Sequence, residues 1–146
     1  MKVDIHIDEK YSEPEILICA ARLTPELARL AAQLAEPSSF GLVGHTETGL
    51  VLLPPGKIVR VYSEGERVFA VTEEGRFRLK MRLYEAEEQL AGGKTIRISG
   101  SELANFDHVK RLDMSLAGTI LLEFSSGATT FVSRRYVPVI KQLLGL

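Results

Sequence analysis

Residues 96–136 alternate apolar and polar side chains like half-buried strands, and their polar positions are of one kind. Ile96-Arg-Ile-Ser-Gly-Ser-Glu-Leu-Ala-Asn105 carries Arg97, Ser99, Ser101 and Asn105. Val132-Ser-Arg-Arg-Tyr136 carries Ser133, Arg134 and Arg135. Guanidinium, hydroxyl and carboxamide groups bind phosphate oxygens and base edges better than they serve as general solubilising groups. The pattern points to a β domain that binds nucleic acid.

Other chemistry finds little support. The chain has no glycine-rich phosphate loop, no His-Glu-x-x-His and no cysteine pair. His6, His45 and His108 are scattered; His6 reads as a surface imidazole and His108 as a turn residue. Ser99 and Ser101 near His108 lack the Gly-x-Ser-x-Gly elbow of a nucleophile. The carboxylates at 85–88 share one solvated helix stretch, where nothing separates their pKa values for acid–base work. Cys19 is alone, in the apolar run Ile16-Leu-Ile-Cys-Ala-Ala21, and reads as a small buried core residue. No catalysis, metal, cofactor or small-molecule substrate is expected.

Those residues need a scaffold. The 146 residues suit one domain with a small appendage, and 45% apolar with 25% charged residues suits a packed core. No apolar run reaches the roughly 20 residues of a membrane helix, and the N-terminus reads as a strand rather than a signal peptide. A cytoplasmic protein is expected. The net charge of −1 is unevenly spread: −4 over residues 1–56, +3 over 57–82, −3 over 83–93 and +3 over 94–146.

Lys2–Ile7 and Glu15–Ala20 read as two strands, and Thr24-Pro25-Glu26 as a helix start, with Leu27, Leu30, Ala31 and Leu34 on one side. That helix should stop before Pro37-Ser38-Ser39. Short strands are expected at 40–43 and 49–53, and Pro54-Pro55-Gly56 is the clearest break. Strands follow at 57–62, 67–72, 76–80, 95–99, 109–114, 119–124 and 128–132, with a helix from Leu83. Residues 101–105 read as a loop, 115–118 as a turn, and Ser133 as the cap of a last helix facing Tyr136, Ile140 and Leu143 inward. The expected fold is mainly β (α+β), with an appendage at 1–44 and the main domain at 45–146.

From Ile58 onward the chain resembles the LytTR DNA-binding domains of bacterial transcription regulators. Ile58-Val-Arg-Val-Tyr-Ser-Glu-Gly-Glu-Arg67 is similar to that family's opening strand and loop. Arg82-Leu83 with Glu87 and Leu90 is similar to its helix, Arg97-x-Ser99-x-Ser101 with Asn105 to its central signature, and Ser133-Arg-Arg-Tyr136 to its closing motif. The resemblance implies antiparallel β-sheets that enter double-stranded DNA with loops rather than a recognition helix. It implies three contact segments: the loop ending at Arg67, the segment Ser101–Asn105, and the turn at Ser133-Arg134. Arg134 would then fork onto guanine or phosphate, Asn105 onto adenine, and Ser101 onto phosphate, with Arg67 and Arg135 on the backbone.

Each residue has a plainer role open to it. Asn105 also suits a turn cap, Ser133 a helix cap, and Arg135 a surface charge. Arg97 has Glu123 or Glu102 as alternative partners, and Glu66 beside Arg67 opposes phosphate. Two positions depart from the family pattern: Thr95 replaces an aromatic, and Gly100 often replaces a basic residue. Residues 1–56 are too short for a receiver domain, so the chain resembles the family's short, stand-alone branch. The N-terminal segment is expected either to dimerise the protein or to pack on its own domain. A membrane protein encoded nearby is a further expected partner of that branch. The competing reading is a β module for protein interaction or ligand sensing that has lost DNA binding.

Overall fold

The computed structural model describes residues 1–35, 41–115 and 117–146. The expected helix stop at 37–39, the strand start at Phe40, and Leu116 of the expected turn lie outside the described residues. The first helix, α1 (Pro25–Ala35), starts as its sequence dictates. Thr24 Oγ1 accepts a hydrogen bond from the Leu27 N–H at 3.2 Å, and Pro25 occupies a position that needs no donor. Leu27 and Leu30 are half-buried, and the Gln33 side-chain amide donates to the Gly92 carbonyl.

Seven strands then build the main sheet: β1 (Leu42–His45), β2 (Leu50–Leu53), β3 (Arg60–Glu64), β4 (Arg67–Thr72), β5 (Gly75–Leu79), β6 (Thr95–Ser99) and β7 (Glu102–Asn105). Their order is β2-β1-β5-β4-β3-β7-β6, with every pairing antiparallel. Helix α2 (Leu83–Gln89) lies between β5 and β6 in the chain. Strands β8 (Val109–Asp113), β9 (Ile120–Phe124) and β10 (Thr129–Val132) form a second sheet, and α3 (Val137–Leu143) closes the chain.

Alternation along the strands creates two cores. Val61, Val68, Ala70, Leu79 and Leu103 pack with Leu83, Ala86 and Leu90 around α2. Val59, Ile98 and Ala104 pack with Ile120, Leu122, Phe124, Val132 and Ile140 under the small sheet and α3. Strand β7 sits between them, so all four of its residues are buried. That corrects the expected loop at 101–105: Leu103 and Ala104 each face a different core, which only a strand allows.

The N-terminal expectations need correcting too. Residues 2–7 and 15–20 form no strand; the segment is exposed, Cys19 included. An isolated hairpin buries too little to hold itself together, and neither sheet among the described residues receives it. Strand β1 begins at Leu42 and pairs with β5 at His45↔Arg78, so the main sheet reaches back across the boundary expected at residue 44.

Candidate nucleic-acid interface

The β3–β4 turn closes at the pair Glu64↔Arg67, and the β6–β7 turn at Ser99↔Glu102. Strands β3 and β7 pair antiparallel with Tyr62 opposite Glu102, which puts both turns at the same end of the sheet. Two backbone hydrogen bonds draw the loops together. The Ser63 N–H donates to the Ser101 carbonyl at 2.9 Å, and the Ser133 N–H donates to the Ile98 carbonyl at 2.9 Å. The three loops around Arg67, Ser101 and Ser133 therefore share one edge.

Arg67, Ser101, Arg134 and Arg135 are exposed on that edge. Among the described residues no ion pair engages any of the three arginines. Arg135 leans toward its neighbour's ring, with Cζ 5.9 Å from the Tyr136 centroid. Arg134 passes over Gly118, where a Cβ would stand 3.2 Å from its Nε; Gly118 has φ +75°, which favours glycine. The Ser101 N–H donates to Ser99 Oγ at 3.2 Å, which shapes the turn. The Ser133 carbonyl accepts from the Tyr136 and Val137 N–H groups at 2.9 and 3.2 Å. The helix flank is Tyr136, with no side-chain cap, so Ser133 shapes the turn before α3 through its backbone.

Arg97 is held inward. Its Nε and Nη2 both stand 3.1 Å from Glu87 Oε1, and Nη1 donates to the Ser99 and Gly100 carbonyls at 3.4 and 3.1 Å. The expected partners Glu102 and Glu123 are thereby replaced by Glu87 of α2. Arg97 is a positioning residue that fastens the 99–101 turn to that helix. Glu123 instead pairs with Lys110 at 3.1 Å and Arg111 at 3.5 Å.

Asn105 is the clearest correction. It is 3% exposed and lies at the far end of β7 from Ser101, opposite Thr95. Its Nδ2 donates to the Ile58 carbonyl at 2.8 Å and the Pro55 carbonyl at 3.3 Å, and its Oδ1 accepts from the Asp107 N–H at 3.0 Å. A carboxamide with donors and acceptor so engaged reads no base. It caps the 106–108 turn, the plainer of its two roles, because the sheet end leaves backbone groups that need partners. His108 assists there, its Nε2 donating to the Gly56 carbonyl at 2.7 Å.

Sequence reading missed the bridge between the two sheets. Glu102, 9% exposed, accepts from Thr130 Oγ1 at 2.9 Å, and its other oxygen stands 3.0 Å from Arg60 Nε. Burial raises the Glu102 carboxyl above its ordinary range, with Arg60 and the Thr130 hydroxyl pulling it back. Also missed is Arg76, which donates to the Tyr62 hydroxyl at 2.9 Å and lies 4.2 Å over the Phe69 ring. Only pairing across strands reveals either contact.

A small β scaffold with unpaired guanidinium groups on one loop edge is built to hold a polyanion by its loops. The comparisons specify that class. A family model of the LytTr DNA-binding domain matches residues 48–145, and the chain belongs to the LytTR family. It is similar to a LytTr DNA-binding domain from Bacillus cereus, with TM-score 0.68 and 26% identity, over 72% of this chain and 96% of that one. It is 29% identical over 147 residues to uncharacterized HTH-type transcriptional regulators from Staphylococcus aureus strains MSSA476 and NCTC 8325, covering 100% of this chain and 99% of each relative. Among the described residues α1, α2 and α3 are separated by strands, so no two helices form a helix-turn-helix here.

Proposed function

We propose that the chain is a non-catalytic, cytoplasmic transcription regulator that binds duplex DNA as a homodimer. Arg134 is the base or phosphate fork, Arg135 and Arg67 hold the phosphate backbone, and Ser101 donates to a phosphate. Arg97 and Ser133 position the loops that carry them. The observation that carries this reading is the convergence of the three loops through the Ser63–Ser101 and Ser133–Ile98 backbone hydrogen bonds. Loops tied at one edge approach a groove together, without the ordering cost of loops that move apart. Family membership over residues 48–145 supports DNA as the ligand. No helix among the described residues is long and apolar enough to cross a membrane.

The test is selection of bound genomic fragments, followed by gel shift on the enriched site at several salt concentrations. Enrichment of one motif, with affinity falling steeply as salt rises, is the expected result. A pool with no enriched motif, from protein that is folded, refutes the reading. Two-fold symmetry of the motif would speak for the homodimer.

A further inference from the structure

The chain exposes 10589 Å². A compact monomer of 16.1 kDa exposes about 7,400 Å². The excess of about 3,000 Å² is several times the roughly 800 Å² that each partner gives to a stable interface. Much of it lies in the first 24 residues, every one of which except Thr24 is exposed. Val3, Ile5 and Ile7 are 79%, 81% and 91% exposed, and they alternate with Lys2, Asp4, His6 and Asp8. Such a stripe is a strand without a sheet.

Among the described residues one edge of the main sheet has no strand paired to it. Strand β2 is the outermost strand of the main sheet, and its sequence is Leu50-Val-Leu-Leu53. Leu50 and Leu52 are 67% and 60% exposed. Natural edges are blunted by lysine, proline or inward charge, and β2 has none within its four residues. Its outward N–H and C=O groups call for another strand. Among the described residues the N-terminal segment does not pair with them.

We propose that residues 2–7 of one copy add as a strand to the outer edge of β2 in a second copy, and reciprocally, closing a two-fold dimer. The proposal deepens the homodimer reading and rests on it. A segment of 24 residues can extend to about 80 Å, well beyond the radius of so small a domain. Reciprocal exchange satisfies both unpaired elements in both copies and leaves no open end for a third. Val3, Ile5 and Ile7 then line up beside Leu50 and Leu52 as cross-strand apolar pairs. Arg67 begins β4 and Arg134 lies in the turn after β10, neither on β2, so the proposed pairing leaves the loop edge free for DNA.

The full chain with Cys19→Ser provides the test. Chains carrying Val3→Cys, Ile5→Cys or Ile7→Cys are mixed with chains carrying Leu52→Cys, oxidised, and mapped by mass spectrometry, with sedimentation alongside. A disulfide joining the two kinds of chain, within a dimer, is the expected result. Leu50→Lys with Leu52→Lys, folded by circular dichroism, should weaken the dimer by at least about tenfold. Dimers cross-linked only from segment to segment overturn edge pairing and leave the homodimer standing. A monomer at every concentration overturns both. Cross-links formed only inside a chain carrying Ile5→Cys and Leu52→Cys together overturn exchange between copies.

Discussion

The two ends of β7 carry similar polar residues to opposite purposes. At one end Ser101 and the neighbouring Arg67, Arg134 and Arg135 face solvent with their charges unpaired among the described residues. At the other end Asn105 is buried and hydrogen-bonded to Pro55, Ile58 and Asp107. Residue type alone therefore says little about a binding role. What separates a reader from a structural brace is whether its donors are already satisfied within the fold.

If that contrast holds, substitution at each end should fail in a different assay. Asn105→Ala removes three hydrogen bonds and orphans the buried Ile58 carbonyl, so a loss of about 3 kcal/mol in folding stability is expected by denaturant unfolding. Its specific DNA affinity, measured on the fraction that remains folded, should be little changed. A stable variant that binds DNA tenfold worse would reverse the contrast.

Arg134→Ala should behave in the opposite way. Binding to the selected site should weaken by about 2 kcal/mol in gel shift, while stability stays within roughly 0.5 kcal/mol. Gly118→Ala sharpens the point, because its Cβ meets Arg134 and its backbone has φ +75°. About 1 kcal/mol of stability should be lost, together with a measurable loss of affinity. Arg67→Ala has the smaller effect on binding: the slope of affinity against salt should fall by about one, equally for specific and random DNA.

The least effect tests the bridge between the sheets. Glu102 has its carboxyl raised chiefly by burial. A raised carboxyl contributes stability that is complete below the unfolded value and lost as pH rises through the folded value. Glu102→Gln does not titrate, so the stability difference between variant and parent should move in the variant's favour as pH increases. Unfolding curves between about pH 4 and pH 8 check this, and movement the other way would show that Arg60 outweighs burial.

Much of the fold was legible because local signals agreed with the final packing. Thr24-Pro25 announced α1, and period-two alternation announced β4, β6, β9 and β10. Strand β7 was not legible, since Glu102 and Asn105 at its ends look like loop residues until Arg60, Thr130 and the 55–58 carbonyls are seen to satisfy them. Cys19 was misread for a related reason. Its apolar run looks buried, and the described fold gives it nothing to be buried against. Arg97, expected among the DNA contacts with Glu123 or Glu102 as its alternative partners, is instead paired with Glu87.

By itself, the sequence determined which segments are amphipathic, where the turns fall, and which guanidinium groups exist to meet a polyanion. Those follow from side-chain chemistry and from the periods of helix and strand, which are local. Only the tertiary structure decided that Ser101 and Ser133 approach one another while Asn105 turns away into the interior. Strand register and order bring together residues far apart in the chain, and a donor's freedom to bind depends on who its neighbours are in space.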